Sequence, residues 1–146
     1  MLTLTVYLAF DSLASWLCLA GLRDLQDKCE MKFAPLLTTV TDVVGKPKSG
    51  DPLAGYKARR AKAKDAFNEA ERRRKCELLG LSPEAGLRAM DRLPPAVGLK
   101  WLANNNAEVQ RILDYAESVF NAHYRQGRDL ASVGAITALL DATGVS

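Results

Sequence analysis

Ser12 and Ser15 stand three residues apart, directly after the run Leu2-Thr-Leu-Thr-Val-Tyr-Leu-Ala-Phe10. The run reads as a strand, and Ser12-Leu-Ala-Ser-Trp-Leu17 opens a stretch that reads as a helix. The first N–H groups of a helix lack intrahelical partners, and its dipole favours negative charge there. A hydroxyl in that place can hold a thiolate or another anion. It can equally be a plain N-cap, a position serine favours. The pair is hydroxyl rather than thiol, which disfavours disulfide exchange. Ser15 also fits a first-turn structural role, and Trp16 fits either the core or the wall of a substrate pocket.

Other chemistry-bearing residues are sparse. Cys18, Cys29 and Cys76 are widely spaced, no Cys-x-x-Cys occurs, and His123 is the single histidine. A structural zinc site needs about four clustered ligands, so no metal is expected. Cys18, one turn past Ser15, is expected to be a small buried hydrophobe. The unpaired cysteine count suits a reducing compartment, and a cytoplasmic location is expected. His123, beside Tyr124, is a weak acid–base candidate and more simply a structural residue.

The net charge of +3 is small but unevenly spread. Lys57 to Lys75 carries nine Lys/Arg against three Asp/Glu, a local balance of +6, so the remainder carries −3. Such a segment could bind nucleic acid through its phosphates or meet an anionic substrate. It reads more simply as a solvated helix face with i,i+4 pairs such as Glu71 with Lys75. No nucleic-acid partner is therefore expected. The apolar N-terminus has no Lys or Arg before Arg23 and is interrupted by Asp11, unlike a secretory signal. It is also too short to span a bilayer, which takes about 20 apolar residues, so no membrane partner is expected.

These residues need elements to position them. Residues 2–10 read as a strand whose apolar positions suggest burial on both faces, as in a parallel sheet. Ser15 to Gln26 reads as a helix with Trp16, Leu19, Ala20, Leu22 and Leu25 inward. Met31 to Leu37 reads as a second strand, completing a βαβ unit. Gly45, Pro47, Gly50 and Pro52 mark a loop. Helices are expected over Leu53–Leu79 (one or two), from Ser82-Pro83-Glu84, from Pro94-Pro95, along the stripe Val109 to Phe120, and over Asp129–Thr143. In the last of these Val133, Ile136, Leu139 and Leu140 are expected inward. At 146 residues the chain is long enough for a real core.

The order strand, Ser-x-x-Ser-Trp-Leu, helix, strand and long helical segment resembles a known family. It is similar to the 2-hydroxychromene-2-carboxylate isomerases and kappa-class glutathione transferases of the DsbA-like thioredoxin superfamily. Arg74-Lys-Cys-Glu-Leu-Leu-Gly80 and Phe120-Asn-Ala-His-Tyr-Arg-Gln-Gly127-Arg-Asp129-Leu130 are similar to two further stretches of that family. The resemblance implies an α/β thioredoxin-like fold. Residues 1–45 would form its N-terminal part and residues 46–146 a large all-helical insertion domain, with the C-terminal strands and their Val-Pro pair missing.

The resemblance also implies a glutathione-dependent isomerase or transferase. Ser12 would hold the glutathione sulfur as thiolate, with Ser15, Gly45, Lys46 and Pro47 contacting glutathione and Trp16 lining the substrate pocket. The substrate would be a small aromatic or unsaturated carbonyl compound. The sequence departs from the family pattern at Leu13, Ala14, Ala9 and Lys46. An alternative is a catalytically degenerate member that acts as a binding module and forms a homodimer through its open sheet edge.

Overall fold

The structure is a computed structural model and describes residues 2–37 and 52–143. Chain order is strand β1 (Thr3–Leu8), helix α1 (Leu13–Leu25), strand β2 (Glu30–Pro35) and helix α2 (Ala54–Leu79). A 3-10 turn (Ala85–Leu87), helix α3 (Leu93–Asn104), helix α4 (Val109–Phe120) and helix α5 (Val133–Ala142) follow. Helix α4 runs on into a π-helical turn, Asn121–Arg125. The result is a mixed α/β architecture, mostly helical, with a short two-stranded parallel sheet. Thr3 stands opposite Glu30 and Leu8 opposite Pro35. The expected domain boundary at 45/46 lies outside the described residues. One contiguous apolar core draws on residues from both sides of it.

The sheet is covered on one face, not on both as its composition suggested. Leu8, Met31 and Phe33 are buried, and Leu4 and Val6 pack against the same core. Thr3, Thr5, Tyr7, Glu30 and Lys32 are exposed, Tyr7 by 61%. Threonine at alternate positions gave the period-two signal of a half-covered strand, and that signal outweighed the apolar run.

Helix α1 starts at Leu13, two residues earlier than expected, because Ser12 is its N-cap. It buries Leu13, Trp16, Leu19 and Leu22, a three-residue spacing that keeps one stripe inward. Ala20 and Leu25 are exposed rather than inward. Cys18 is exposed too, which corrects its reading as a buried hydrophobe. Two residues past Trp16 is about 200° round the helix, so burial of Trp16 turns Cys18 to solvent.

The segment Leu53–Leu79 is a single helix, α2. It closes on Gly80 in the left-handed conformation (φ 68°), whose N–H donates to the carbonyls of Cys76 and Glu77. Only its last turns meet the body, where Cys76 is fully buried. Ser82 starts a 3-10 turn of three residues, not the helix expected there, although its Oγ accepts from Ala85 N–H at 3.3 Å.

Pro94 and Pro95 occupy the first turn of α3, where a missing N–H costs nothing. Helix α4 buries Ile112, Leu113, Ala116, Val119 and Phe120 as expected, and Tyr115 besides. Helix α5 is shorter than the Asp129–Thr143 expected. Ser132 caps it, and Val133, expected inward, is 83% exposed while Ile136 and Leu139 are buried. The cap fixes which residue begins the helix, and the first-turn valine then falls on the solvent side.

Candidate functional site

The Ser12 junction is built by the end of β1 and the start of α1. Ser12 N–H donates to Ala9 O at 3.1 Å, closing the turn. Ser12 Oγ accepts from Ser15 N–H at 3.4 Å, a long capping bond. Ser15 Oγ in turn accepts from Ala9 N–H at 3.3 Å, so it holds the strand end against the first helical turn. Both serines thus spend an acceptor on the backbone. The Ser12 hydroxyl is half-buried, and its proton remains available to an acceptor from outside.

Other elements converge on this junction. Leu13, directly after the cap, is buried towards Cys76 of α2 and the 3-10 turn: a Cβ placed on Gly86 would touch both Cys76 Sγ and Leu13 Cδ1. Arg92, the N-cap residue of α3, brings its guanidinium within 3.8 Å of the Asp11 carboxylate. A cation therefore stands beside the acid that precedes Ser12. Asp91, its chain neighbour, lines a separate cleft of about 390 Å³ together with Arg88, His123, Arg128 and Asp129, and neither Asp11 nor Ser12 is among the residues that line it. That volume is in the range of small-molecule sites.

Trp16 is a core residue. Its ring stacks on Phe120 at 5.6 Å (5° between planes) and on Tyr124 at 5.9 Å (19°). Phe10 packs against the same cluster, its ring 5.5 Å from Phe120 and tilted by 39°. The Arg125 guanidinium caps it, 5.0 Å above the Trp16 ring, while donating to Leu79 O at 2.6 Å. Trp16 does border a cleft, with Leu17, Arg23, Leu79, Glu117 and Arg125, on the side where α1 meets α2 and α4. Ser12 is not among the residues lining that cleft.

His123 is buried in the π-helical turn, edge-on to Tyr124, with Nε2 3.1 Å from Arg88 O. Arg88 answers by donating to the carbonyls of His123 and Tyr124. A π-turn leaves carbonyls without their usual helical donors, and Arg88 supplies one. Burial pushes the Tyr124 phenol up to about 12, helped by the nearby Asp11 and Cys76. Burial alone pushes Tyr115 up further, and its hydroxyl donates to Pro95 O at 2.8 Å.

Of the expected site residues, Ser12, Ser15 and Trp16 share the first turn of α1, while Gly45, Lys46 and Pro47 lie outside the described residues. Arg92, Arg88 and Arg125 carried no signal in the sequence, since each acts across a distance the chain order hides. Among the described residues no group of three or more His, Cys, Asp or Glu could hold a metal ion. No described helix is long and apolar enough to cross a membrane. No family model, no curated protein and no solved structure matches this chain.

Proposed function

We propose that the chain is a glutathione-dependent isomerase or transferase of the 2-hydroxychromene-2-carboxylate isomerase and kappa-class type, on a thioredoxin-like frame. The observation that carries the reading is the state of Ser12. Its oxygen lone pair is taken by Ser15 N–H, and its proton is left for a negatively charged acceptor at the start of α1. The sulfur end of glutathione fits that place. The hydroxyl donates one hydrogen bond, and the Leu13 and Ala14 N–H groups of the first helical turn add partial positive charge. Arg92 offsets the Asp11 carboxylate, which would otherwise repel a thiolate.

Bound there, glutathione supplies a thiolate that adds reversibly to an unsaturated carbonyl and lets its double bond rotate. The chain's part is to keep that sulfur deprotonated and oriented. Ser15 contributes by fixing the strand end to the helix, so the Ser12 hydroxyl cannot drift. The three free thiols, Cys18, Cys29 and Cys76, support a cytoplasmic setting.

Calorimetric titration with glutathione tests the reading. Heat of binding with glutathione, and weaker binding of S-methylglutathione, is the expected result. Equal binding of both compounds, or of neither, contradicts a thiolate site.

A second reading is favoured by one feature. Among the described residues β1 pairs only with β2, and the outward face of the sheet carries exposed Thr3, Thr5 and Tyr7. A two-stranded sheet gains from a further strand, and β1 has no Pro or Lys to block one. A homodimerising module would pair β1 with its copy. Sedimentation decides this: a monomer at high concentration removes it.

A further inference from the structure

The cleft of about 390 Å³ beside the π-helical turn takes no part in the chemistry proposed at Ser12. Two guanidiniums, Arg88 and Arg128, and two carboxylates, Asp91 and Asp129, line it. Among the described residues none of the four makes an ion pair. Opposite charges that share a cleft without meeting leave room for a ligand that carries both signs.

Arg88 is held in place by the protein itself. Its Nη1 donates to Tyr124 O at 2.8 Å and to His123 O at 3.3 Å. Gly127 permits this approach: it sits at φ 63°, and a Cβ there would stand 3.2 Å from Nη1 and 3.4 Å from Cζ of Arg88. The Nε and Nη2 donors of Arg88 make no hydrogen bond among the described residues, and neither does the exposed Arg128 side chain. The carboxylates are each half used. Asp91 Oδ1 accepts from Leu93 N–H at 3.0 Å, and Asp129 Oδ1 accepts from Ala131 N–H at 2.9 Å. Both side chains are thereby fixed, and each keeps an Oδ2 for a partner.

His123 adds a further group. The residue is 7% exposed, and it lines the cleft. Its Nε2 faces Arg88 O at 3.1 Å, and a carbonyl can only accept, so Nε2 carries the proton. In the neutral ring Nδ1 is then an acceptor. Nδ1 has no hydrogen-bond partner among the described residues, and it is not sealed from solvent.

These groups select the ligand. A carboxylate suits the unused donors of Arg88 and Arg128. An ammonium, with three donors and no acceptor, suits Asp91 Oδ2, Asp129 Oδ2 and His123 Nδ1. Met90 and Leu130 add an apolar patch to the same cleft. The volume lies near the lower end of small-molecule sites, about 300–1,000 Å³, so the molecule is small.

We propose that this cleft binds a free aliphatic α-amino acid as its zwitterion. The carboxylate lies on Arg88 and Arg128, the ammonium on Asp91, Asp129 and His123, and the side chain on Met90 and Leu130. The site is independent of the reading at Ser12, a residue that does not line it.

Calorimetric titration of the full chain with L-leucine tests the proposal. L-leucinamide lacks the carboxylate charge and N-acetyl-L-leucine lacks the ammonium; both are measured by displacement of L-leucine. L-leucine should bind, and each analogue should bind about 10- to 150-fold more weakly, since each loses charge-assisted hydrogen bonds. Arg128→Gln should weaken L-leucine and leave L-leucinamide little changed. Asp91→Asn keeps an oxygen for Leu93 N–H; it should weaken L-leucine and leave N-acetyl-L-leucine little changed. Thermal melts of both variants should match the parent. Lys100→Gln, an exposed site outside the cleft, should bind L-leucine like the parent.

No binding of L-leucine up to tens of millimolar overturns the proposal. An N-acetyl-L-leucine that binds as tightly as L-leucine makes the cleft a plain anion site, and an equally tight L-leucinamide makes it a cation site; either overturns it. Parent-like binding of L-leucine by both Arg128→Gln and Asp91→Asn places the molecule elsewhere and overturns it too.

Discussion

Replacing Ser12 separates two roles that share one oxygen. As N-cap, Ser12 accepts from Ser15 N–H at 3.4 Å, and loss of a serine cap costs about 1 kcal/mol. In a 146-residue chain that lowers Tm by about 2–4 °C. Against a typical stability of about 5–15 kcal/mol the variant stays folded at assay temperature. As hydrogen-bond donor to a thiolate, Ser12 contributes about 1.5–3 kcal/mol, since the acceptor is charged. That corresponds to roughly 10- to 150-fold in turnover.

Ser12→Ala should therefore lose both the cap and the activity, with the activity falling far more than the stability explains. Ser12→Thr should keep both. Ser12→Asp should keep the cap, because a carboxylate accepts from Ser15 N–H, yet repel the sulfur and abolish turnover. Thermal melts and glutathione-dependent isomerisation of an unsaturated carbonyl compound, measured on all three, provide the comparison. An active Ser12→Asp variant refutes the donor role. So does a Ser12→Ala variant that loses its cap energy while turning over normally.

Other outcomes follow from the packing around the junction. A Cβ on Gly98 would stand 2.7 Å from Tyr115 Cζ and 3.0 Å from Ile136 Cγ2, both buried. Gly98→Ala should lose about 1–3 kcal/mol in urea denaturation despite better helix propensity. Combined with Tyr115→Phe it should cost less than the sum, because the crowded oxygen is gone. Trp16→Ala removes the centre of the aromatic stack and should cost about 3–5 kcal/mol. Tyr115 and Tyr124 are held neutral in the folded chain and titrate near their ordinary value of 10 when unfolded. Unfolding above that pH therefore releases protons, so the stability these two groups contribute should be constant below about pH 10 and fall between about pH 10 and 12. Urea melts across that range check the direction.

The βαβ order and the junction were legible because Thr3 and Thr5 alternate with apolar residues and Ser12 precedes an apolar three-residue repeat. The reading failed where a local signal had two meanings. The apolar run of residues 2–10 suggested burial on both faces, yet the exposed side of β1 carries only threonines and Tyr7. Cys18 looked core-like by type, but its angle from Trp16 decided its exposure. Ser82-Pro83-Glu84 has the chemistry of a helix start, and Ser82 does cap, but the extended backbone at Arg88 (ψ 120°) ends the segment after one 3-10 turn. The arginine contacts were illegible for a different reason. Arg92 to Asp11, Arg88 to the π-turn and Arg125 to Leu79 join residues 81, 35 and 46 apart in the chain. No periodicity encodes such pairs.

The ionisation of bound glutathione tests the thiolate site most directly. Ultraviolet absorbance of the thiolate, followed against pH with the parent chain in excess, should show the bound sulfur ionising below the pH at which free glutathione does. The shift should vanish in Ser12→Ala. A bound thiol that ionises like the free one, or an equal shift in parent and Ser12→Ala, would contradict a thiolate held by Ser12.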